Sequence, residues 1–588
     1  MARSSLDRRG YLKSAWIFSR TMVLGLTVFL SLPHFQFADA WQVHEIAHPQ
    51  EVKTQESSGY VGNQTCARCH ASIFESYERT PMAHASGPAT ENLSPADFVH
   101  RKSGVHYRIY AEAGAAWLSF ERPGDTSATG NRELLYSIGS GRRGRSYLFI
   151  VDGFVFESPV NWYADRHQWD MAPAYDKVRE IPLNLPAYPE CLRCHTSGMR
   201  QPLNGTENQY PSPLFTQDGV GCERCHGPGE SHIKEKNSST IVNPVKLPPA
   251  LRDSICMQCH LEGSVSVERA GRRVFDFRPG DLLDDYVRHY VLTGDQRSGL
   301  GANGQFEALA QSACKKKSGD AMSCMSCHDP HYSPSKAERA SYYREKCLAC
   351  HGPAFGAKHH PQQIDCASCH MPSSLSTDIA HTEVTDHRIR CRPELSPDVL
   401  LDVSARPSSN LLLFPESTDK DKDKDEKVAD VRDRALAWQS VAENGDPHAI
   451  EQAASLLRQA IKQSPDDPAV LSAIAYVELN QGDLDHARSL YEHALALSPD
   501  LIDAAVNLGV LEAKTGNLKR AVELWKKAFE RAPGKSAIGM NLSRAFCQAG
   551  QIREARVFVS RVLHFNPDLS EAREFQRGLD ADPPRCGP

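Results

Sequence analysis

Cysteine and histidine recur together along this chain at one fixed spacing. Two thiols three positions apart on one helical turn can add to the two vinyl groups of a haem, and a histidine directly after them can bind its iron. Fourteen of the 18 cysteines stand in seven copies of Cys-x-x-Cys-His, numbered first to seventh below. The cysteines are Cys66, Cys69, Cys191, Cys194, Cys222, Cys225, Cys256, Cys259, Cys324, Cys327, Cys347, Cys350, Cys366 and Cys369, and the histidines are His70, His195, His226, His260, His328, His351 and His370. The spacing predicts seven covalently bound haems c.

Disulfides and structural zinc are the alternatives for so many cysteines. Oxidising compartments favour disulfides, and paired Cys-x-x-Cys units also bind zinc tetrahedrally. Neither requires a histidine after the second cysteine, yet all seven copies have one in a chain with 25 histidines among 588 residues. Haem attachment is therefore the prediction. Cys547 and Cys586 have no adjacent histidine, so no haem is expected there.

The sixth coordination position of each iron decides what the haem can do. A second protein ligand makes an electron carrier, whereas an open position permits substrate chemistry. His232 and His331 closely follow the third and fifth motifs, and His84 competes with Met82 because a thioether sulfur also binds haem iron. The other candidates are His289, His360, His381 and His387. A surface or hydrogen-bonded role is the alternative for each histidine, and the set closes seven irons only if every assignment holds.

The length of the chain predicts more than one domain, because a domain has roughly 100 to 200 residues. Residues 59–392 contain all seven motifs, so haems should form much of that domain's core. Alternating apolar and polar residues at 105–109 and 133–163 predict a small antiparallel sheet beside the haems. The predicted fold class is mostly α: a loop-rich, haem-packed cytochrome c domain with this sheet, followed by an α-solenoid.

The C-terminal part repeats with a period of 34 residues, which is the period of tetratricopeptide helix pairs. Four repeats are predicted over 428–580, with Leu457, Tyr491 and Trp525 sharing one core position. The Asp- and Lys-rich run at 418–425 predicts a charged flexible linker over 393–427, with the domains folding independently. The repeat markers are Pro465, Pro499, Pro533 and Pro567; Gly482, Gly516 and Gly550; Ala453, Ala487, Ala521 and Ala555; and Ala460, Ala494 and Ala528.

The first 40 residues are typical of a signal peptide. A basic start precedes an apolar run at 21–32, and Ala38-Asp39-Ala40 is a small-residue cleavage site. The run is shorter than the roughly 20 residues of a membrane span, so no span is expected in the mature chain, which would begin with a linker over 41–58. Arg8-Arg9 gives twin-arginine export as an alternative route to the periplasm. The formal charge of −6 argues against nucleic acid as a partner.

Several stretches around the motifs resemble a family of exported multihaem cytochromes c fused to tetratricopeptide repeats, which is distantly similar to the tetrahaem cytochromes of ammonia oxidation. The resemblance implies periplasmic electron transfer. Related nitrite reductases attach their catalytic haem at a motif ending in Lys, and no Cys-x-x-Cys-Lys occurs here. Cys314 matches a recurrent cysteine of the family. Three roles are open for it: a haem ligand, a disulfide partner of Cys391, or a buried free thiol. The matching stretches are 138–141, 146–148, 169–176, 221–229, 256–262, 327–331, 369–372 and 385–389.

These observations predict a periplasmic electron-transfer protein with seven haems, whose repeat domain docks a redox partner protein. The alternative is an oxidoreductase acting on a small nitrogen or sulfur compound at one five-coordinate haem. A redox-active scaffold ranks third, because scaffolding needs no haems. Self-association through the repeats is a further possibility.

Overall fold

The computed structural model describes residues 59–173, 175, 178–203, 205–293, 304–359, 365–376, 383–390, 410–414, 424–443 and 448–587. The predicted signal peptide and N-terminal linker, and His360, His381 and Cys391, lie outside the described residues. Within them, short helices and antiparallel sheets precede a continuous series of helix pairs. The predicted fold class is confirmed.

Two antiparallel sheets lie between the first and second motifs, as the alternating pattern predicted. One has the strand order β2-β3-β4-β5, and the other has the order β1-β6-β7-β9-β10 with β8 paired to β7. Val105, Tyr107 and Ile109 alternate into the core with at most 1% exposure. The strands are β1 Ser86–Pro88, β2 Ala96–His100, β3 Val105–Glu112, β4 Ala115–Arg122, β5 Asp125–Leu134, β6 Tyr136–Ile138, β7 Gly144–Val151, β8 Phe154–Glu157, β9 Val160–Tyr163 and β10 Gln168–Met171.

Short helices carry most of the motifs. They are α1 Asn63–Ala67, α2 Ala71–Tyr77, α3 Pro189–Leu192, α4 Glu223–His226, α5 Glu230–Glu235, α6 Pro249–His260, α7 Gln305–Gln311, α8 Ala313–Ser318, α9 Arg339–His351, α10 Pro353–His359 and α11 Cys366–His370. Small two- and three-stranded sheets lie between them. Their strands are β11 Ser197–Met199, β12 Phe215–Gln217, β13 Val265–Glu268, β14 Val287–Thr293, β15 Ser373–Leu375, β16 Glu383–Thr385 and β17 Asn410–Phe414.

The C-terminal helices pair as the 34-residue period predicted. Alanines at the closest helix approaches are fully buried, and Gly482, Gly516 and Gly550 end helices with φ of 90°, 88° and 75°, which glycine adopts most easily. The helices are α12 Lys424–Glu443, α13 Ala449–Gln463, α14 Pro468–Gln481, α15 Leu484–Leu497, α16 Ile502–Lys514, α17 Leu518–Arg531, α18 Ser536–Gln548, α19 Ile552–Phe565 and α20 Ser570–Leu579. A disulfide between Cys547 and Cys586 fastens the C-terminal tail to α18.

The flexible linker predicted over 393–427 is wrong where the structure describes it. Strand β17 pairs antiparallel with β14 of the haem region, and α12 begins at Lys424. The cause is the apolar run Leu411–Phe414, whose Leu411 is fully buried beside Tyr290 and Trp438. The charged run marked the segment as solvated, whereas the apolar residues before it decided the local structure.

Independent folding of the two domains is also contradicted. Phe565 of α19 lies in the same buried cluster as the sheets of the haem region, with its ring centre 6.1 Å from that of Phe154 and 5.9 Å from that of Phe156. A second cluster joins Val265 of β13 to the first repeat. Apolar surface shared in this way is removed from water only when the parts are joined.

Polar contacts also join the two regions, at the turns of the solenoid where one repeat is followed by the next. The fully buried Asp568 accepts hydrogen bonds from Arg122 and from the backbone N–H of Ile181. Lys535 lies 2.9 Å from a carboxylate oxygen of Glu207. The segment that carries the second motif is therefore held on both sides by the repeats.

Candidate functional site

Six of the seven motifs place their two thiols and their imidazole through one helical turn, whereas the helix of the second motif ends at Leu192. In the first, third and fifth motifs the backbone N–H of the histidine donates to the backbone carbonyl of the first cysteine, at 3.0, 3.0 and 2.9 Å. This i to i+4 bond puts both cysteines and the histidine along one side of the turn. The local geometry is that required for haem attachment.

Three motif histidines each face a second histidine from a distant part of the chain. The pairs are His70 with His232, His226 with His331, and His328 with His387, with ring centres 6.4, 5.9 and 6.3 Å apart and ring planes at 19°, 12° and 29°. Two imidazoles on opposite sides of one metal, each with a bond of about 2 Å and about 1 Å from nitrogen to ring centre, have ring centres about 6 Å apart. The spacing thus fits one iron between each pair.

Hydrogen bonds at Nδ1 orient many of these rings. An acceptor at Nδ1 fixes the tautomer and leaves Nε2 as the nitrogen suited to iron. The acceptors are backbone carbonyls for His226 (Val242, 2.8 Å), His370 (Arg390, 2.6 Å), His232 (Asn237, 2.9 Å) and His387 (Thr385, 2.9 Å), while His260 meets Gln305 Oε1 at 3.0 Å and His328 meets the Tyr343 hydroxyl at 3.2 Å.

Burial favours the neutral, metal-binding form of four motif imidazoles. It lowers the pKa of His195, His226 and His260, and it lowers the pKa of His328 to about 4. A neutral ring has a lone pair available for iron without first losing a proton. The electrostatic setting therefore suits ligation at these positions.

The other candidates for the sixth position are placed differently. His84 directs Nε2 to the carbonyl of Glu78 at 2.6 Å, so that nitrogen is already engaged. Met82 lies half-buried two residues earlier, and its carbonyl accepts from the N–H of Val220 near the third motif. His289 is buried in β14, where burial, together with the charge of Arg193 in the second motif, lowers its pKa to about 4.

Cysteines of different motifs meet each other. The hydrogen-bonded thiol pairs are Cys66 with Cys222, Cys194 with Cys259, Cys256 with Cys324 and Cys347 with Cys366. They join the first motif to the third, the second to the fourth, the fourth to the fifth and the sixth to the seventh. Haems attached at such neighbouring sulfurs would have adjacent edges.

Two further neighbours complete the series. The pKa of the Cys256 thiol is raised by its hydrogen bond to Cys324, by burial and also by nearby Cys225, which links the third motif to the fourth. Burial raises the pKa of Cys327, and so do Cys350 of the sixth motif and Cys314. With these two electrostatic neighbours added to the four thiol pairs, the motifs form one series, ordered first, third, fourth, fifth, sixth and seventh, with the second beside the fourth. Cys314 lies at the junction of the fifth and sixth.

The second motif borders a cavity of about 150 Å³. One wall consists of Cys191, Leu192 and His195, and the other comes from the sheet strands β6, β7 and β8. The sheet residues that line it are Ile138, Ser146, Leu148 and Glu157. The alternating pattern predicted this sheet, but nothing in the sequence marks Glu157, because only the fold brings β8 opposite the motif.

No helix in the described ranges is both long and apolar enough to cross a membrane.

Family comparisons match three separate parts of the chain. The profile "Cytochrome c554 and c-prime" matches residues 161–227, the doubled CXXCH motif matches 317–356, and tetratricopeptide repeats match 446–508 and 512–578. The first covers the second and third motifs, and the doubled motif covers the fifth and sixth. The resemblance stated from the sequence is confirmed.

One similar curated protein is the multiheme cytochrome MtrA of Shewanella baltica (strain OS185), which is 25% identical over 187 residues, or 29% of this chain. The chain spans 54% of that protein's length. Among solved structures, MamA AMB-1 is 23% identical over 25% of this chain and 78% of its own, with a TM-score of 0.23. The MamA RS-1 ArsTM double mutant is 18% identical over 26% and 84%, with a TM-score of 0.24.

Proposed function

Because the chain is a multihaem c-type cytochrome with tetratricopeptide repeats, we propose that it transfers electrons through seven haems c. The observation that carries this proposal is the spacing of the three facing histidine pairs, since two protein ligands close an iron to substrates and leave electron transfer as its function. His232, His331 and His387 are the proposed sixth ligands of the first, third and fifth haems. The thiol contacts between motifs support a single conducting array.

The proposed path of transfer follows the order of the motifs. The first and seventh motifs are the ends of the series, and Cys69 and Cys369 there are exposed, as are Cys191 of the second motif and Cys350 of the sixth. Electrons would enter at one end and leave at the other. The donor and acceptor are proposed to be proteins, with the repeat domain as the docking module on faces other than the edge that holds the haem region.

An exported location is part of the same proposal. The predicted signal peptide supports it, and so does the disulfide between Cys547 and Cys586, because disulfides persist in oxidising compartments such as the periplasm.

Intact mass and ligand binding test the proposal. The mature protein, made in a host with haem-attachment machinery, should carry the covalent mass of seven haems. Carbon monoxide should leave the reduced spectrum of at least the first, third and fifth haems unchanged, because both axial positions of their irons are taken. A lower haem count or carbon monoxide binding at most of the irons would contradict the carrier function.

The cavity at the second motif favours a second candidate function. Among the residues that the structure describes, its lining contains the motif histidine but no further histidine or methionine. An oxidoreductase acting on a small molecule would need such an open iron.

A further inference from the structure

The imidazole of the fifth motif has a different kind of hydrogen-bond partner from three other motif imidazoles. His328 Nδ1 lies 3.2 Å from the hydroxyl oxygen of Tyr343. Three other motif rings direct Nδ1 to carbonyl oxygens, which belong to the backbone for His226 and His370, at 2.8 and 2.6 Å, and to a side-chain amide for His260, at 3.0 Å. A phenol therefore takes the place that a carbonyl has in those motifs.

Tyr343 belongs to the helix that carries the sixth motif. It lies on α9, one turn before Cys347. Its ring packs edge-on against that of Tyr342, with ring centres 5.2 Å apart and planes at 88°, and edge-on against His328, at 5.5 Å and 69°. Residues four apart lie on one face of a helix. The face of α9 that presents a cysteine of the sixth motif thus also contacts the histidine of the fifth.

The direction of the hydrogen bond follows from the binding of iron. When Nε2 binds iron, the proton of the neutral ring is on Nδ1, so the ring donates and the phenol oxygen accepts. Donation of this kind makes the imidazole a stronger electron donor, which favours oxidised iron and lowers the reduction potential of the haem. A phenol oxygen is a weaker acceptor than a carbonyl oxygen, and 3.2 Å is the longest of the four distances. The potential is therefore lowered less at His328 than it would be by a carbonyl.

We propose that Tyr343 is a positioning residue of the fifth haem, which orients the His328 ring through Nδ1 and tunes the reduction potential of that haem. The fifth motif stands between the fourth and the sixth in the series, so the potential of its haem affects every electron that passes along the array. This inference rests on the proposed function, because it needs a haem at Cys324 and Cys327 with His328 bound to its iron.

Tyr343→Phe tests the role, because it removes the acceptor and keeps the ring. In a spectroscopic redox titration of the seven-haem protein, one haem should shift to a higher potential while its spectrum stays low-spin. Tyr342→Phe is the matched control: it removes the same group from the next residue of α9, and the Tyr342 hydroxyl is buried without a hydrogen-bond partner among the described residues. That control should leave the titration unchanged.

The iron–histidine bond gives a second and more direct measurement. His387→Ala removes the proposed sixth ligand of the fifth haem, so the reduced variant should show the iron–histidine stretching band of a five-coordinate haem in its resonance Raman spectrum. Adding Tyr343→Phe should lower the frequency of that band, because loss of the hydrogen bond weakens the bond between iron and imidazole. Adding Tyr342→Phe should leave the frequency unchanged.

The outcomes separate this role from the proposed function. Unchanged potentials in Tyr343→Phe, or an unchanged band in the His387→Ala background, would overturn the role of Tyr343 and leave the electron-carrier proposal intact. Six haems in Tyr343→Phe with seven in Tyr342→Phe would overturn it as well, because the hydroxyl would then serve haem attachment. Fewer than seven haems in the wild-type protein would instead count against the proposed function.

Discussion

Replacing Asp568 with alanine should weaken the contact between the repeat domain and the haem region. Asp568 is fully buried and accepts from Arg122 Nη1 at 2.8 Å, from Arg573 Nη2 at 2.6 Å and from the N–H of Ile181 at 2.7 Å. The change removes one carboxylate partner from each of two largely buried arginines, Arg122 and Arg573, whose side chains are 22% and 19% exposed. It also leaves the buried Ile181 N–H without its acceptor.

Both losses are large on the scale of single substitutions. Breaking a buried ion pair costs about 3–5 kcal/mol, and an unsatisfied buried N–H costs about 1–3 kcal/mol. Arg122 and Arg573 both retain Asp125, at 3.4 and 2.7 Å, which places the ion-pair loss near the lower limit. We expect the free energy of unfolding to fall by about 4 kcal/mol.

Asp466→Ala is the matched control, because it changes the same register position three repeats earlier. Its side chain is 71% exposed and pairs with His493 at 3.1 Å, so the expected loss is below about 1 kcal/mol. Guanidinium unfolding of the haem-loaded proteins, followed by circular dichroism, compares the two variants. Limited proteolysis would show earlier release of the repeats from Asp568→Ala. Equal stabilities of the two variants would refute the argument that buried contacts join the domains.

Three further predictions concern the haems and the repeats. His331→Ala should retain all haems but give a high-spin signal and new carbon monoxide binding. The control His106→Ala, on the outer face of β3 beside Asp97, should give neither. An unchanged low-spin spectrum of His331→Ala would remove His331 from the ligands. Glu443→Gln should stabilise the protein by about 2 kcal/mol at pH 8 and hardly at pH 4. The reason is that burial raises the pKa of this carboxyl from 4.5 to about 7 in the folded protein, so its contribution to stability is complete below pH 4.5 and is lost as the pH rises toward 7. Thermal melts at both pH values check the sign. Ending the chain after Pro415 should expose Phe154 and its cluster, giving a protein that aggregates or disturbs the second haem; a monomer with seven unaltered haems would contradict the shared core.

The repeat helices and haem motifs could be predicted because their signals are local. A period of 34 residues and a five-residue motif are complete in the sequence, and Ala453, Tyr491 and Trp525 occupy the buried positions that the period assigned. The linker prediction failed because strand β17 depends on a partner, β14, more than 100 residues earlier. A short apolar run in the sequence indicates that the segment can be buried, but it does not indicate which strand the segment will pair with.

The ligand candidates show the same division between residue and partner. His232 and His331 were singled out because each closely follows a motif, and the structure places both opposite motif histidines. Yet His232 follows the third motif and faces His70 of the first, and His331 follows the fifth and faces His226 of the third. Closeness in sequence predicted which histidines to consider, but not which iron each would face.

These crossed pairs give the third motif a central place in the array. In the proposed ligation it would supply His226 to its own haem, its following helix α5 would supply His232 to the first haem, and the fifth motif would supply His331 to the third. The hydrogen bond between Cys66 and Cys222 places the first and third motifs side by side by separate atoms. The histidine pair and the thiol pair thus both place the third motif next to the first. That agreement is expected if the histidines bind one iron and the cysteines hold two adjacent haems. Loss of the third haem should then weaken the first and fifth motifs too, because each iron also joins two distant chain segments.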